Sequence, residues 1–77
     1  MAESANVSTL IRAHVTGTVW KVEKQTGAPV RAGEAVIILE SMKMELPVES
    51  PADGHVSELR CAPGDVVEEG AVLAVVE

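Results

Sequence analysis

The sequence predicts an all-β domain, a sandwich or barrel of short strands built as two similar halves. Three observations carry this reading. Valine is abundant while Trp20 is the lone aromatic residue, and valine-rich chains fit the pleated, half-buried surface of a strand. Turn signals containing glycine recur at short intervals and cut the chain into pieces too short for helices. Residues 15–40 also repeat as residues 52–77, at a constant offset of 37 and without a gap.

The repeat sets Gly17 over Gly54, Val19 over Val56, Gly27 over Gly64, Val30 over Val67, Gly33 over Gly70 and Glu40 over Glu77. Val22 also meets Leu59, and Val36 meets Leu73, so apolar positions are kept where identities are not. A fixed spacing of this kind marks a repeated supersecondary unit. Two copies are too few for a solenoid. They predict a pseudo-twofold domain in which each half covers the apolar face of the other.

Taken in order, an early strand is expected over residues 9–13. Gly17–Val22 alternates apolar Val19 and Val22 with polar Lys21 and Glu23, as a half-buried strand does. Thr26-Gly27 turns the chain, residues 29–31 allow a very short strand, and Ala32-Gly33-Glu34 turns it again before a strand over residues 35–39. The second half repeats this as Gly54–Leu59, a turn at Pro63-Gly64-Asp65, Val66–Val67, a turn at Glu69-Gly70, and a strand over residues 71–76. One domain over residues 8–77 is expected, preceded by a short flexible segment, residues 1–7.

At 77 residues the chain holds one domain. A domain of this size buries roughly 60% of the surface its unfolded chain exposes, so its core is thin and a deep substrate pocket is not expected. A module handled by larger partners fits better. Twelve acids against six scattered bases give a net charge of −6. That opposes nucleic acid, whose phosphates require clustered Lys and Arg, and an anionic membrane surface. The lack of aromatics removes a base-stacking platform. No apolar run is long enough to span a bilayer and no leader pattern is visible. The single cysteine, Cys61, excludes an internal disulfide and agrees with a reducing compartment. A cytoplasmic protein is expected. A closed barrel leaves few free sheet edges, so a monomer in isolation is expected too.

Eleven residues, 41–51, lie between the copies and form the crossover from one half to the other. Strands over residues 35–40 and 44–49 would make a hairpin with Met42-Lys43 at its exposed tip. An exposed lysine is ordinary in itself. The two methionines around it are less so, because turns normally use Asn, Asp and Gly. Flexible apolar side chains beside an amine suit docking against a partner, although a methionine here would also fit the core of so thin a domain. A swinging carrier needs an amine on a long stem, held clear of a rigid support. Lysine and a hairpin supply these. A lysine amine is cationic at neutral pH, so acylation requires an activated donor and a base from another protein.

Glu40-Ser41-Met42-Lys43-Met44-Glu45 closely resembles the attachment motif of the biotinyl/lipoyl domain family. The likeness runs over nearly the whole chain and is greatest to small free-standing biotin carrier (biotin/lipoyl attachment) proteins of biotin-dependent acyl-CoA carboxylases. It implies a flattened β-barrel, or barrel-sandwich hybrid, of two four-stranded antiparallel sheets with the modified lysine in a β-hairpin turn. It further implies that Lys43 is the cofactor-attachment residue and that biotin is joined there covalently as an amide by a biotin protein ligase, through biotinyl-AMP. A biotin carboxylase then loads a carboxyl group, and a carboxyltransferase passes it to an acceptor, most often an acyl-CoA. Lys43 is a tether in that cycle and the chain has no catalytic residue. Met42, Met44, Glu40, Ser41 and Glu45 become the residues read by the ligase and partners.

Lipoyl relatives usually carry an acidic residue before the lysine and often alanine after it. This chain has Met42 and Met44, which favours biotin. Ser41 stands where the commonest biotin motif has alanine, and His14-Val15-Thr16 replaces a Pro-Met-Pro-like stretch of many relatives. The gapless repeat leaves no room for the protruding thumb of some acetyl-CoA carboxylase carriers. The alternatives are a lipoyl carrier of a dehydrogenase or glycine-cleavage type system, and an unmodified interaction module. His14, His55 and Cys61 have no compact metal-binding spacing, so no metal is expected. Trp20 is expected to pack partly against the barrel, with its indole open to a partner as the other possibility.

Overall fold

The structure, a computed structural model, describes residues 8–77; the segment 1–7, expected to be flexible, lies outside the described residues. Eight strands follow in chain order: β1 (Thr9–Arg12), β2 (Gly17–Val22), β3 (Pro29–Val30), β4 (Ala35–Ser41), β5 (Met44–Glu49), β6 (Gly54–Leu59), β7 (Val66–Val67) and β8 (Val72–Val76). The early strand is one residue shorter than the sequence suggests. Ala13 nevertheless stays buried, its N–H donating to Ala71 O at 2.9 Å. Strand β4 runs on to Ser41 because the hairpin ladder continues to the turn itself. Among the described residues, no helix is long and apolar enough to cross a membrane.

The strands form two four-stranded sheets, ordered β1-β8-β6-β3 and β5-β4-β2-β7, with every pairing antiparallel. This is the flattened barrel that the sequence predicts. The offset of 37 maps one sheet onto the other strand by strand. Val19 opposes Leu39 in one sheet and Val56 opposes Val76 in the other, and each ladder shifts register one step later, between Val19 and Lys21 and between Val56 and Glu58. The turns repeat as well. Gly27 N–H donates to Val56 O at 2.7 Å, and Gly64 N–H donates to Val19 O at 2.8 Å. The symmetry also extends beyond the stretch legible in the sequence, since β1 and β5 are equivalent, with Ile11 and Val48 both buried.

The core is made of such equivalent pairs: Val19 with Val56, Val36 with Leu73, and Leu39 with Val76, all essentially without exposed surface. Each of these aliphatic side chains contributes roughly 1.5–3 kcal/mol through burial. Ser50 is the polar exception, standing where the first half has Ala13. Its Oγ donates to Ala52 O at 2.6 Å, so the buried hydroxyl is satisfied.

The turn before β4 is closed by a charge. Glu34 Oε1 accepts the Arg31 N–H at 2.9 Å and lies 3.5 Å from Lys24 Nζ. The backbone hydrogen bond from Arg31 chiefly holds the Glu34 carboxyl below the usual carboxylate range; desolvation opposes it, and the Lys24 cation adds to the lowering. A carboxyl depressed on folding stabilises the protein above its unfolded titration range and loses that contribution as pH falls through the folded value. Urea midpoints of the wild type and Glu34→Gln should therefore differ at neutral pH and converge in acid. A gap independent of pH would show that the carboxylate's charge plays no part in closing the turn.

Candidate functional site

Strands β4 and β5 pair from Ala35↔Glu49 to Ser41↔Met44, which leaves Met42 and Lys43 as a two-residue loop. Their φ angles are +53° and +67°. Two consecutive left-handed residues make a type I′ turn, whose twist matches that of the strands it joins. Such a turn favours Asn-Gly, because a side chain in the left-handed region costs about 1–2 kcal/mol per residue. Here Met and Lys occupy both positions. The strain is sustained from below, where Ile37, Leu39 and Val48 anchor the two strands in the core.

Gly17 secures the base of the hairpin. A Cβ at this position would lie 2.6 Å from Glu40 O and 3.4 Å from Ser41 Cβ, so β2 approaches β4 through the space a side chain would fill. The same arrangement recurs in the other sheet, where a Cβ on Gly54 would meet Glu77 O. By contrast, Gly64 has φ +95° and open space around it, so it serves the turn by its backbone angle alone.

The structure brings together the residues singled out in the sequence. Met42 is 92% exposed and Met44 60%, so neither methionine joins the core. Lys43 is exposed between them, and among the described residues its amine makes no hydrogen bond or ion pair. Glu40 and Glu45 face each other across the ladder, both exposed, and Ser41 is half-buried between Glu40 and the turn. Like charges placed directly opposite are mildly unfavourable. An amine on a projecting turn has room for an acyl group of any length, which is what a covalently tethered cofactor needs. The left-handed turn, the Gly17 contact and a bulge at Trp20 are features of this hairpin and its neighbour that sequence reasoning missed. The first had a signal in the two-residue spacing between strands, and the second in the repeated glycine, Gly17 over Gly54, which marks either a positive φ or a close backbone approach; the bulge had none.

Other reactive side chains lie elsewhere. His14 Nε2 is 3.3 Å from Pro47 O, and His55 pairs through its backbone with Glu77. Cys61 is half-buried against the core, and burial first, then the Asp65 carboxylate, pushes its thiol up, away from the reactive thiolate. Among the described residues there is no group of three His, Cys, Asp or Glu placed to hold a metal ion.

Replacing Met42-Lys43 by Asn-Gly should raise the urea midpoint with an unchanged slope, corresponding to about 1–2 kcal/mol of added stability, because both residues then suit positive φ. An unchanged midpoint would mean that the turn is unstrained. Gly17→Ala should do the reverse. It should lower stability by about 1–3 kcal/mol and broaden the amide resonances of Glu40 and Ser41 ahead of the rest of the sheet; a uniform loss would place the strain elsewhere.

Comparison with known proteins agrees with this geometry. Residues 3–76 match the biotin/lipoyl family model, described as biotin-requiring enzyme. The chain is 44% identical over 59 residues to the biotin/lipoyl attachment protein of Bacillus subtilis, an alignment covering 77% of this chain and 81% of that one. It is 36% identical over 66 residues to a biotinylated protein of Mycobacterium leprae, the TB7.3 homolog, covering 86% and 93%. The Kluyveromyces lactis urea carboxylase crystal structure superposes with a TM-score of 0.89 at 36% identity, over 94% of this chain but only 6% of that much larger one. The chain belongs to the biotin/lipoyl attachment family, as a small carrier domain rather than catalytic machinery.

Proposed function

We propose that Lys43 carries biotin as an amide and that the domain moves a carboxyl group between a biotin carboxylase and a carboxyltransferase. The observation that carries this is the placement of an exposed lysine in a strained type I′ turn, between two exposed methionines, at the tip of a barrel of this family. Bound biotin supplies a ureido nitrogen that takes up and releases the carboxyl group. The chain's own work is mechanical. The Lys43 amine, deprotonated by a base of the ligase, attacks the acyl carbon of biotinyl-AMP. The C–N bond forms, the acyl C–O bond to the phosphate breaks, AMP leaves and the nitrogen gives up its proton to the ligase, after which Lys43 provides the stem. The hairpin strands hold the stem clear of the body and fix its origin.

Met42 and Met44 are proposed as apolar contacts for a biotin protein ligase and the carboxylase partners, with Glu40, Ser41 and Glu45 as the polar ones. Met42 favours biotin over lipoate, because lipoyl relatives usually carry an acidic residue there. The acceptor, an acyl-CoA by resemblance, is chosen by the carboxyltransferase, since the tethered group meets the acceptor in that enzyme's site. A cytoplasmic setting suits both the free thiol of Cys61 and the ATP that activation consumes.

Intact mass of the protein taken from cells with active biotin and lipoate ligases, with mapping of the modified residue, tests the proposal. One biotinyl group on Lys43, absent from Lys43→Arg, is expected. A lipoyl group on Lys43 would replace the reading with a lipoyl carrier, and an unmodified chain would leave an interaction module.

A further inference from the structure

Trp20 is the chain's lone aromatic residue and is 48% exposed. A β-bulge determines where it sits. In the β2–β4 ladder Val19 opposes Leu39 and Lys21 opposes Ile38, so Trp20 and Lys21 together face one residue, Ile38. Val19 and Leu39 point into the core. Ile38, Trp20 and Lys21 therefore share the outward face of the sheet. The next row towards the hairpin tip runs Glu45, Glu40, Thr18, Val66 across β5, β4, β2 and β7, and Val66 is 77% exposed. One face thus presents an indole, a half-buried isoleucine, an exposed valine and two carboxylates, continuous with Met42-Lys43.

The pseudo-twofold provides an internal comparison. The other sheet has the same bulge, but the extra residue there is Ser57, whose Oγ donates to Val75 O at 3.2 Å. Val75, the counterpart of Ile38, is only 6% exposed. The same backbone without an attachment hairpin thus turns a short polar side chain back onto its own sheet. The sheet that bears Lys43 instead leaves a tryptophan in water, at the cost of exposed apolar surface that the fold does not require.

Reach decides which partner this face serves. An enzyme acting on a cofactor at the end of its tether can stand well away from the barrel. An enzyme that acylates Lys43 must bring its reacting group to Nζ, only about 6 Å from the backbone at ordinary bond lengths. Its surface must then pack around the turn and the sheet beneath. We propose that the outward face of sheet β5-β4-β2-β7, with Trp20 and Val66 as apolar anchors and Glu40 and Glu45 as charged contacts, is where the enzyme that acylates Lys43 docks. The complementary surface is an apolar pocket for the indole flanked by basic side chains. Tryptophan is the residue type that most often dominates such contacts, and carboxylates on the rim select a cationic partner.

This inference rests on Lys43 being the biotin acceptor, and the experiment separates the two. Purified unmodified protein is titrated as substrate for a biotin protein ligase supplied with biotin and ATP. Trp20→Ala and Val66→Asp should each raise KM about tenfold or more with kcat nearly unchanged, since docking is lost and the amine is not altered. Leu10→Ala, on the outward face of the other sheet, should leave both constants as they are. Val66→Asp removes no buried packing, so it reports on docking even where Trp20→Ala unfolds. Wild-type protein that accepts no biotin would overturn the carrier reading itself. Wild-type loading with equal KM for both face variants would overturn the docking proposal alone, as would an effect confined to kcat.

Discussion

Strands β1 and β3 of the first half hydrogen-bond to β8 and β6 of the second, while β5 and β7 of the second half hydrogen-bond to β4 and β2 of the first. Each sheet therefore takes two strands from each half, and neither half can complete a sheet alone. The consequence is cooperativity. Core pairs such as Val36 with Leu73 and Leu39 with Val76 are buried only when both halves are in place. So thin a core needs this, because a domain of its size has little burial to spare. The same exchange gives the hairpin its rigidity, since β4 is held by β5 on one side and β2 on the other.

The hairpin spends some of that stability. Two left-handed residues with side chains, and two carboxylates directly opposite each other, sit at the one place where the chain projects. A fold selected only for stability would place Asn-Gly there and separate the charges. The exposure of Met42, Lys43 and Met44 fits the role proposed for them in contacts outside the barrel. Gly17 makes this possible, because its missing side chain lets β2 support Glu40 and Ser41 from the side.

Charge points in the same direction. The chain carries −6 overall, with Glu40 and Glu45 beneath the tip and Lys43 as the cation between them. On the proposed function, amide formation on Lys43 would remove that cation and leave carboxylates and thioethers at the tip, so its field would differ before and after loading.

Much of this was legible in the residues. The offset of 37 predicted the twofold and six of the eight strands, the crossover between the copies supplied β5 and so located the hairpin, and Met42-Lys43 emerged at its tip because they were left between the copies. These features depend on local patterning, which repeats along the chain. The equivalence of β1 and β5 escaped notice, since Ile11 and Val48 share only apolar character and no identity anchors the alignment there. What the sequence by itself determined is the fold class, its symmetry and the position of the candidate lysine. Only the tertiary structure decided that both methionines face solvent, that Gly17 lies against Glu40, and that a bulge turns Trp20 outward beside the hairpin. Those depend on register and on the approach of strands distant in sequence, and a one-residue shift in register, which composition and spacing do not specify, reverses the face on which a side chain lies.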